Sequence, residues 1–148
     1  ATTLAIRDKK LAMPAAVAMN TPWSDLEKNG DSYVLNEGVD PILVTYDGAL
    51  AAAAKLYAGG EDLKNPLLSP INADYSKGFP PTLLSSGTRD LFLSNTVRLH
   101  RKLRAAGLES ELHVFEGMWH GFMYVPETSA LMKEFGLFFD KHLLGTGR

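Results

Sequence analysis

Asp90 and His120 have the residue types and the spacing for proton-transfer chemistry. Asp90 ends the run Leu83-Leu84-Ser85-Ser86-Gly87-Thr88-Arg89-Asp90. His120 sits in Val114-Phe115-Glu116-Gly117-Met118-Trp119-His120-Gly121-Phe122, about thirty residues later. Each comes a few residues after a stretch that reads as a strand. In open α/β sheets, functional side chains sit in loops beyond the carboxyl ends of the strands. A carboxylate there can accept the Nδ1–H of an imidazole, fix its tautomer and stabilise the imidazolium. The imidazole can then take a proton from a hydroxyl nucleophile and return it to a leaving group. A plainer reading is that Asp90 caps the helix starting near Ser94 and His120 is an ordinary loop histidine. Spacing alone leaves both open.

No nucleophile stands beside them. A serine on a sharp strand-to-helix turn needs glycine two residues before and two after, following an apolar strand. Gly30-Asp31-Ser32-Tyr33-Val34 has only the first glycine, and Leu26-Glu27-Lys28-Asn29 ahead of it is no strand, so a turn is expected there. Ser85 and Ser86 lie at a strand end, ahead of the acid on the same loop, without a turn that would expose Oγ. All three are rejected, and the nucleophile is expected upstream of residue 1.

The elements that must position the pair follow from the pattern. Residues 1–10 read as a helix and Ala15 to Asn20 as a strand buried on both faces. Glu27 to Asp40 is polar and reads as an excursion loop, followed by a helix from about Pro41 to Tyr57 that stops at Gly59-Gly60. Asn65 to Ile71 is extended loop, because its prolines disfavour helix. Pro81 to Ser86 is the next strand. Ser94 to Ala106 is a helix with Ser94 or Asn95 as its N-cap and Val97, Leu99 and Leu103 as its apolar positions. Glu109 to Phe115 alternates more and reads as a strand nearer an edge. Glu127 to Leu144 closes the chain as a helix, with Leu131, Phe135, Phe138, Phe139 and Leu143 on one side. Right-handed crossovers then predict about three parallel strands with helices on both faces. A doubly wound protein of this length should have about five strands, so an open edge is expected at the first strand.

Composition narrows the functional classes. The chain has 148 residues, 45% of them hydrophobic, and a net charge of −2. That is enough for one domain with a core, and it carries no basic footprint for nucleic acid. There is no cysteine, which excludes a disulfide scaffold and a thiolate site. No apolar run is long enough to span a bilayer. No His/Asp/Glu set has metal-site spacing and no glycine-rich phosphate loop is present, so no cofactor is expected. Trp23 and Trp119 are candidates for an acyl pocket, with core packing the more ordinary role. Asp25 is expected to tie down its own loop through backbone N–H groups. His100, His113 and His142 read as surface residues. The sequence opens at Ala1 inside a helix-like pattern, which suggests a truncated or processed chain.

The flanking residues carry a resemblance. Pro22-Trp23-Ser24-Asp25-Leu26, Leu68-Ser69-Pro70-Ile71, Phe79-Pro80-Pro81-Thr82-Leu83, Gly87-Thr88-Arg89-Asp90-Leu91-Phe92-Leu93-Ser94 and His120-Gly121-Phe122 occur in the order seen in hormone-sensitive-lipase-type esterases. This is the fold-3 group of α/β-hydrolases. The likeness covers nearly the whole chain. Each motif is weak alone; together, in order, they are specific.

The resemblance implies an α/β fold, the C-terminal half of an α/β-hydrolase, with residues 1–148 forming a partial domain. It makes Asp90 the catalytic acid and His120 the catalytic base, in the chain order Ser, Asp, His. Where the family often has a second Asp, Ser94 and Asn95 stand. The family's Gly-Asp-Ser-Ala-Gly elbow and His-Gly-Gly oxyanion motif have no counterpart, and Ala1 to Lys10 resembles the helix that follows the elbow. A cytoplasmic serine esterase acting on small short-chain acyl esters without a cofactor is implied for the complete protein, with this chain alone inactive. Its partner would be the missing N-terminal half, or another copy across the open sheet edge. Two alternatives stay open: a prolyl-oligopeptidase-type peptidase, and a non-catalytic α/β module. The discriminator is whether the Asp90 and His120 side chains reach hydrogen-bonding distance.

Overall fold

Three parallel strands, β1 (Val17–Asn20), β2 (Thr82–Gly87) and β3 (Ser110–Phe115), lie side by side in that order. They belong to a computed structural model that describes residues 1–143. The register sets Val17 opposite Thr82, and Thr82 opposite Ser110. β2 has a strand on each side, and all its residues are buried. β1 pairs only with β2, and its four residues are half-buried. β1 is thus less buried than its sequence pattern implies, because among the described residues it has no strand on its other side, and that is the open edge expected at the first strand. β3 is the other edge, with the mixed burial its alternation implied.

Helices cover both faces, as the α-β-α order requires. On one face, α1 (Thr2–Asp8) supplies Leu4 and α4 (Leu93–Ala105) supplies Leu99 and Leu103 to a cluster built on Leu84. The buried face of α4 is Asn95, Thr96, Leu99 and Leu103, and Val97 stays at its margin. Each buried leucine contributes about 2 kcal/mol. On the other face lies α5 (Pro126–Leu143), whose Glu134 bonds His113 and whose Lys141 bonds Glu109 and Glu111. Glu111 and His113 alternate with Leu112, which packs on the α4 side. Leu131 and Phe138 of α5 are buried, but Leu143 is exposed, and Leu144 lies outside the described residues.

The segment between β1 and β2 departs most from its sequence pattern. Glu27 to Asp40 is no solvated loop: it contains a short helix α2 (Ser32–Leu35) and buries Ser32, Tyr33 and Asp40. The expected helix from Pro41 begins ten residues later, as α3 (Ala51–Ala58), and ends at Gly59 as expected. Two causes are visible. The Asp40 carboxylate accepts from Ile42 N and Leu43 N and holds a turn there. Gly48, at φ +107, breaks the helical path. Tyr46 is drawn inward instead, its hydroxyl donating to Leu26 O at 2.5 Å. Asn65 to Ile71 is not wholly extended either, because Pro70 opens a single 3₁₀ turn over Pro70–Asn72.

Asp25 behaves as its sequence suggested and more. Its carboxylate accepts from Glu27 N, and it also takes Arg98 at 2.7 Å from α4. The N-cap of α4 does not form as expected. Ser94 Oγ accepts from Ser32 N while Ser32 Oγ accepts from Ser94 N, which locks α2 to α4. Asn95 turns its side chain to Asp25 N and Tyr33 Oη.

The three histidines read as surface residues are all engaged. His113 bonds Glu134, and His142 packs on Phe138 with ring centroids 4.6 Å apart. His100 Nδ1 lies 2.9 Å from Ser110 Oγ. Desolvation, then Arg104 and Arg101, hold His100 below its ordinary value of 6.5. The unfolded chain therefore binds a proton there more readily than the folded one. This contribution favours folding above about pH 6.5 and is lost as pH falls through the lowered folded value. His100→Gln is expected to flatten that part of the stability–pH curve, read by urea midpoints between pH 5 and 7.5.

Candidate active site

β2 and β3 are adjacent and parallel, so the loops leaving their carboxyl ends face each other. Asp90 lies on the first loop and is fully buried. His120 lies on the second, with its side chain 23% exposed. Their side chains meet: His120 Nδ1 stands 3.1 Å from Asp90 Oδ1. With the proton on Nδ1, the ring donates to the carboxylate and leaves Nε2 as an acceptor. Asp90 is held from two further sides. Phe92 N donates to Oδ1 at 2.8 Å, and Ser86 Oγ donates to Oδ2 at 2.6 Å.

The loops are pinned together at close range. Arg89 N donates to Met118 O at 2.9 Å, and Gly117 N donates to Thr88 Oγ1 at 2.8 Å. Gly87 lies where a Cβ would stand 2.0 Å from Met118 O, so only glycine lets the base loop approach β2 this closely. From the end of β1, Thr21 Oγ1 accepts from Gly121 N at 3.2 Å. Thr21 holds φ +47, a left-handed conformation that few β-branched residues adopt. Its own N–H bonds Ser85 O at 2.7 Å.

Aromatic rings wall one side. Phe92 meets His120 edge-on at 5.1 Å, and Trp23 stacks on Phe92 at 5.0 Å. Trp23 thus packs behind the site, and its far side borders a half-open apolar cavity of about 400 Å³ shared with Ala1, Leu26, Ala53, Tyr57, Leu68 and Pro70. Trp119 is half-buried next to His120.

The rejected serines have other partners. Ser32 Oγ donates to Leu91 O, Ser85 Oγ to Asn20 Oδ1, and Ser86 Oγ to Asp90 itself. Among the described residues no serine hydrogen-bonds the His120 ring, and no His/Cys/Asp/Glu group is arranged to hold a metal ion. No helix there is long and apolar enough to cross a membrane.

Two residues of the site escaped the sequence pattern. Asn36 Nδ2 donates to Thr88 O and Asp90 O, and Asp40 Oδ2 accepts from Leu91 N and His120 N. Both come from the polar stretch that reads as loop. The only cue was Asp40-Pro41, a pair that marks a turn.

Comparison with known proteins identifies the fold. The chain matches the family model described as "alpha/beta hydrolase fold" over residues 1–124. It is 26% identical over 144 residues to a protein named "Esterase" from Acinetobacter venetianus, across 93% of this chain and 46% of that protein. The crystal structure of an esterase designated E25 superposes with a TM-score of 0.88 and 47% identity, over 93% of this chain and 43% of that one. A hormone-sensitive lipase from a metagenome library superposes with a TM-score of 0.83 and 34% identity, over 90% and 46%. The chain spans about half the length of the relatives it matches. With the matched stretch taking in all three strands and both facing loops, the chain belongs to the α/β-hydrolase fold family.

Proposed function

We propose that this chain is the acid-and-base portion of a carboxylic-ester hydrolase, a partial domain over residues 1–148, with Asp90 as the catalytic acid and His120 as the general base. The observation that carries the reading is the 3.1 Å contact between the fully buried Asp90 carboxylate and the part-exposed His120 ring, at the carboxyl ends of neighbouring parallel strands. The relatives' printed names, esterase and hormone-sensitive lipase, support ester substrates over peptides.

The chemistry runs on a serine supplied from outside this sequence. Its Oγ attacks the ester carbonyl as His120 Nε2 takes the hydroxyl proton, and Asp90 stabilises the imidazolium through Nδ1–H. His120 then returns the proton to the alkoxide leaving group, freeing the alcohol and an acyl-serine. Water attacks that ester in the same way, releasing the acid and restoring the serine. Backbone N–H groups elsewhere in the complete protein hold the oxyanion. This chemistry requires no cofactor. Small short-chain acyl esters and a cytoplasmic location belong to the same reading, as does the nucleophile-bearing segment as partner along the free edge of β1.

The chain alone is expected to show no serine-inhibitor-sensitive turnover of p-nitrophenyl acetate, because both nucleophile and oxyanion hole lie elsewhere. The complete protein should hydrolyse that ester and lose activity on His120→Ala. Inhibitor-sensitive turnover by residues 1–148 alone would sink the assignment of the nucleophile. A complete protein that cleaved a proline-containing peptide and no ester would sink the esterase reading.

A further inference from the structure

We propose that Asp40 is a positioning residue for His120: one buried carboxylate that joins the acid and base loops and sets a second negative charge against the base. The inference rests on the esterase reading for its catalytic meaning, but its geometry stands apart from it.

Asp40 is 1% exposed, and both of its oxygens are in use. Oδ1 accepts from Ile42 N at 2.9 Å and Leu43 N at 3.1 Å. Oδ2 accepts from Leu91 N at 2.8 Å and from His120 N at 3.3 Å. A single oxygen atom thus bridges the residue after Asp90 and the backbone of His120 itself. The distance between those two amides is fixed by that atom, and the Asp90–His120 contact depends on the same distance.

A turn former would need only the two local bonds of Oδ1. A buried carboxylate that spends its other oxygen on the two site loops has a further consequence. Among the described residues no Lys or Arg pairs with Asp40. Its charge is compensated by four backbone N–H groups alone, leaving it to act on whatever positive charge develops nearby. The imidazolium is that charge. Asp90 faces the ring from the β2 loop and Asp40 faces its backbone from the 36–43 turn. Arg89 and Glu116, on the same two loops as Asp90 and His120, are exposed. Asp90 therefore orients the ring directly, while Asp40 holds its backbone and brings a second negative charge to the base loop.

The test follows the His120 ring by ¹⁵N NMR across pH 4–9 in this chain. Asp40→Asn keeps the shape and one acceptor but removes the charge. It should move the midpoint of the ring titration down by roughly half a pH unit or more. Asn36→Ala removes bonds from the same segment to Thr88 O and Asp90 O without altering charge. It should lower stability and leave the midpoint in place. An unchanged midpoint in Asp40→Asn, or an equal shift in Asn36→Ala, overturns the proposal.

If Asp40→Asn does not fold, the wild-type chain decides. The Asp40 ¹³Cγ signal should show an inflection where His120 titrates, and the Leu91 and His120 amide protons should follow Asp40 together. Absence of both overturns it. Ester hydrolysis is not the readout. A complete protein that shows the coupled titration but hydrolyses no ester supports the role of Asp40 and overturns the esterase reading.

Discussion

If the proposed esterase reading holds, Asp90→Ala is expected to lower kcat for p-nitrophenyl acetate on the order of 10⁴-fold in the complete protein, with KM little changed. The substitution removes the acceptor that fixes the His120 tautomer and the charge that stabilises its protonated form. It also leaves Phe92 N and Ser86 Oγ without their partner in a fully buried position. Two orphaned donors cost about 2–6 kcal/mol of stability, read as a lower urea midpoint. Asp90→Asn should fall between Ala and wild type. In this site both Phe92 N and His120 Nδ1 address Oδ1, while Oδ2 meets only a hydroxyl that can rotate. An amide can keep its oxygen at the Oδ1 position and turn its NH₂ toward Ser86 Oγ. The tautomer then survives and only the charge is lost. A complete protein carrying Asp90→Ala with activity within tenfold of wild type would remove Asp90 from the proposed mechanism.

Gly87→Ala is the second large effect, and it acts through distance alone. The backbone of Gly87 has no left-handed strain, but its Cβ would stand 2.0 Å from Met118 O and 2.3 Å from Met118 C. Those are backbone atoms, so no rotamer change relieves the contact. The segment from Met118 to His120 must move away from β2, stretching the Arg89 N to Met118 O bond. Overpacking of this kind costs about 1–3 kcal/mol. A displacement of about 1 Å at the base is worth roughly 10²-fold in rate for an aligned site. The measurements are a urea midpoint and the low-field Nδ1 proton resonance of His120, which should weaken or vanish. A folded Gly87→Ala chain with that resonance unchanged would show that the loop spacing is not set by Gly87.

The linear chain carried the pair and its framework, because those signals are local. β2 carries Leu83 and Leu84 just after Pro80-Pro81, and Asp90 and His120 each follow a strand by a few residues. The order of strands and helices was legible for the same reason: periodicity and glycine stops act within a few residues of where they are read. Burial on one face of α4 was legible at Leu99 and Leu103 but not at Val97, where helix phase alone does not say which margin the neighbouring segment covers.

The segment from Glu27 to Leu50 was misread because its structure is decided by remote partners. Ser32 and Ser94 exchange hydrogen bonds across 62 residues, Asn36 reaches Thr88 and Asp90, and Asp40 reaches Leu91 and His120. A polar stretch that looks solvated by composition buries Ser32, Tyr33 and Asp40, because Ser32, Asn36 and Asp40 find partners on the segments around Asp90 and His120. His142, which reads as a solvated terminal residue, packs on Phe138 one turn earlier in α5 and stands 3.6 Å from the remote Glu109.

Residue types and chain order alone offered Asp90 and His120 as a candidate acid and base beside a plainer reading, the family resemblance favoured the first, and no serine stood in a nucleophile's setting. Whether acid and base touch could come only from folding, since contact between residues thirty apart depends on β2 and β3 being parallel neighbours. Folding also revealed what holds them in contact: the bare Gly87 that admits Met118, and the Asp40 oxygen shared between the two loops. Neither leaves a trace in periodicity, because hydrogen bonds and close approaches between distant segments are properties of three-dimensional packing.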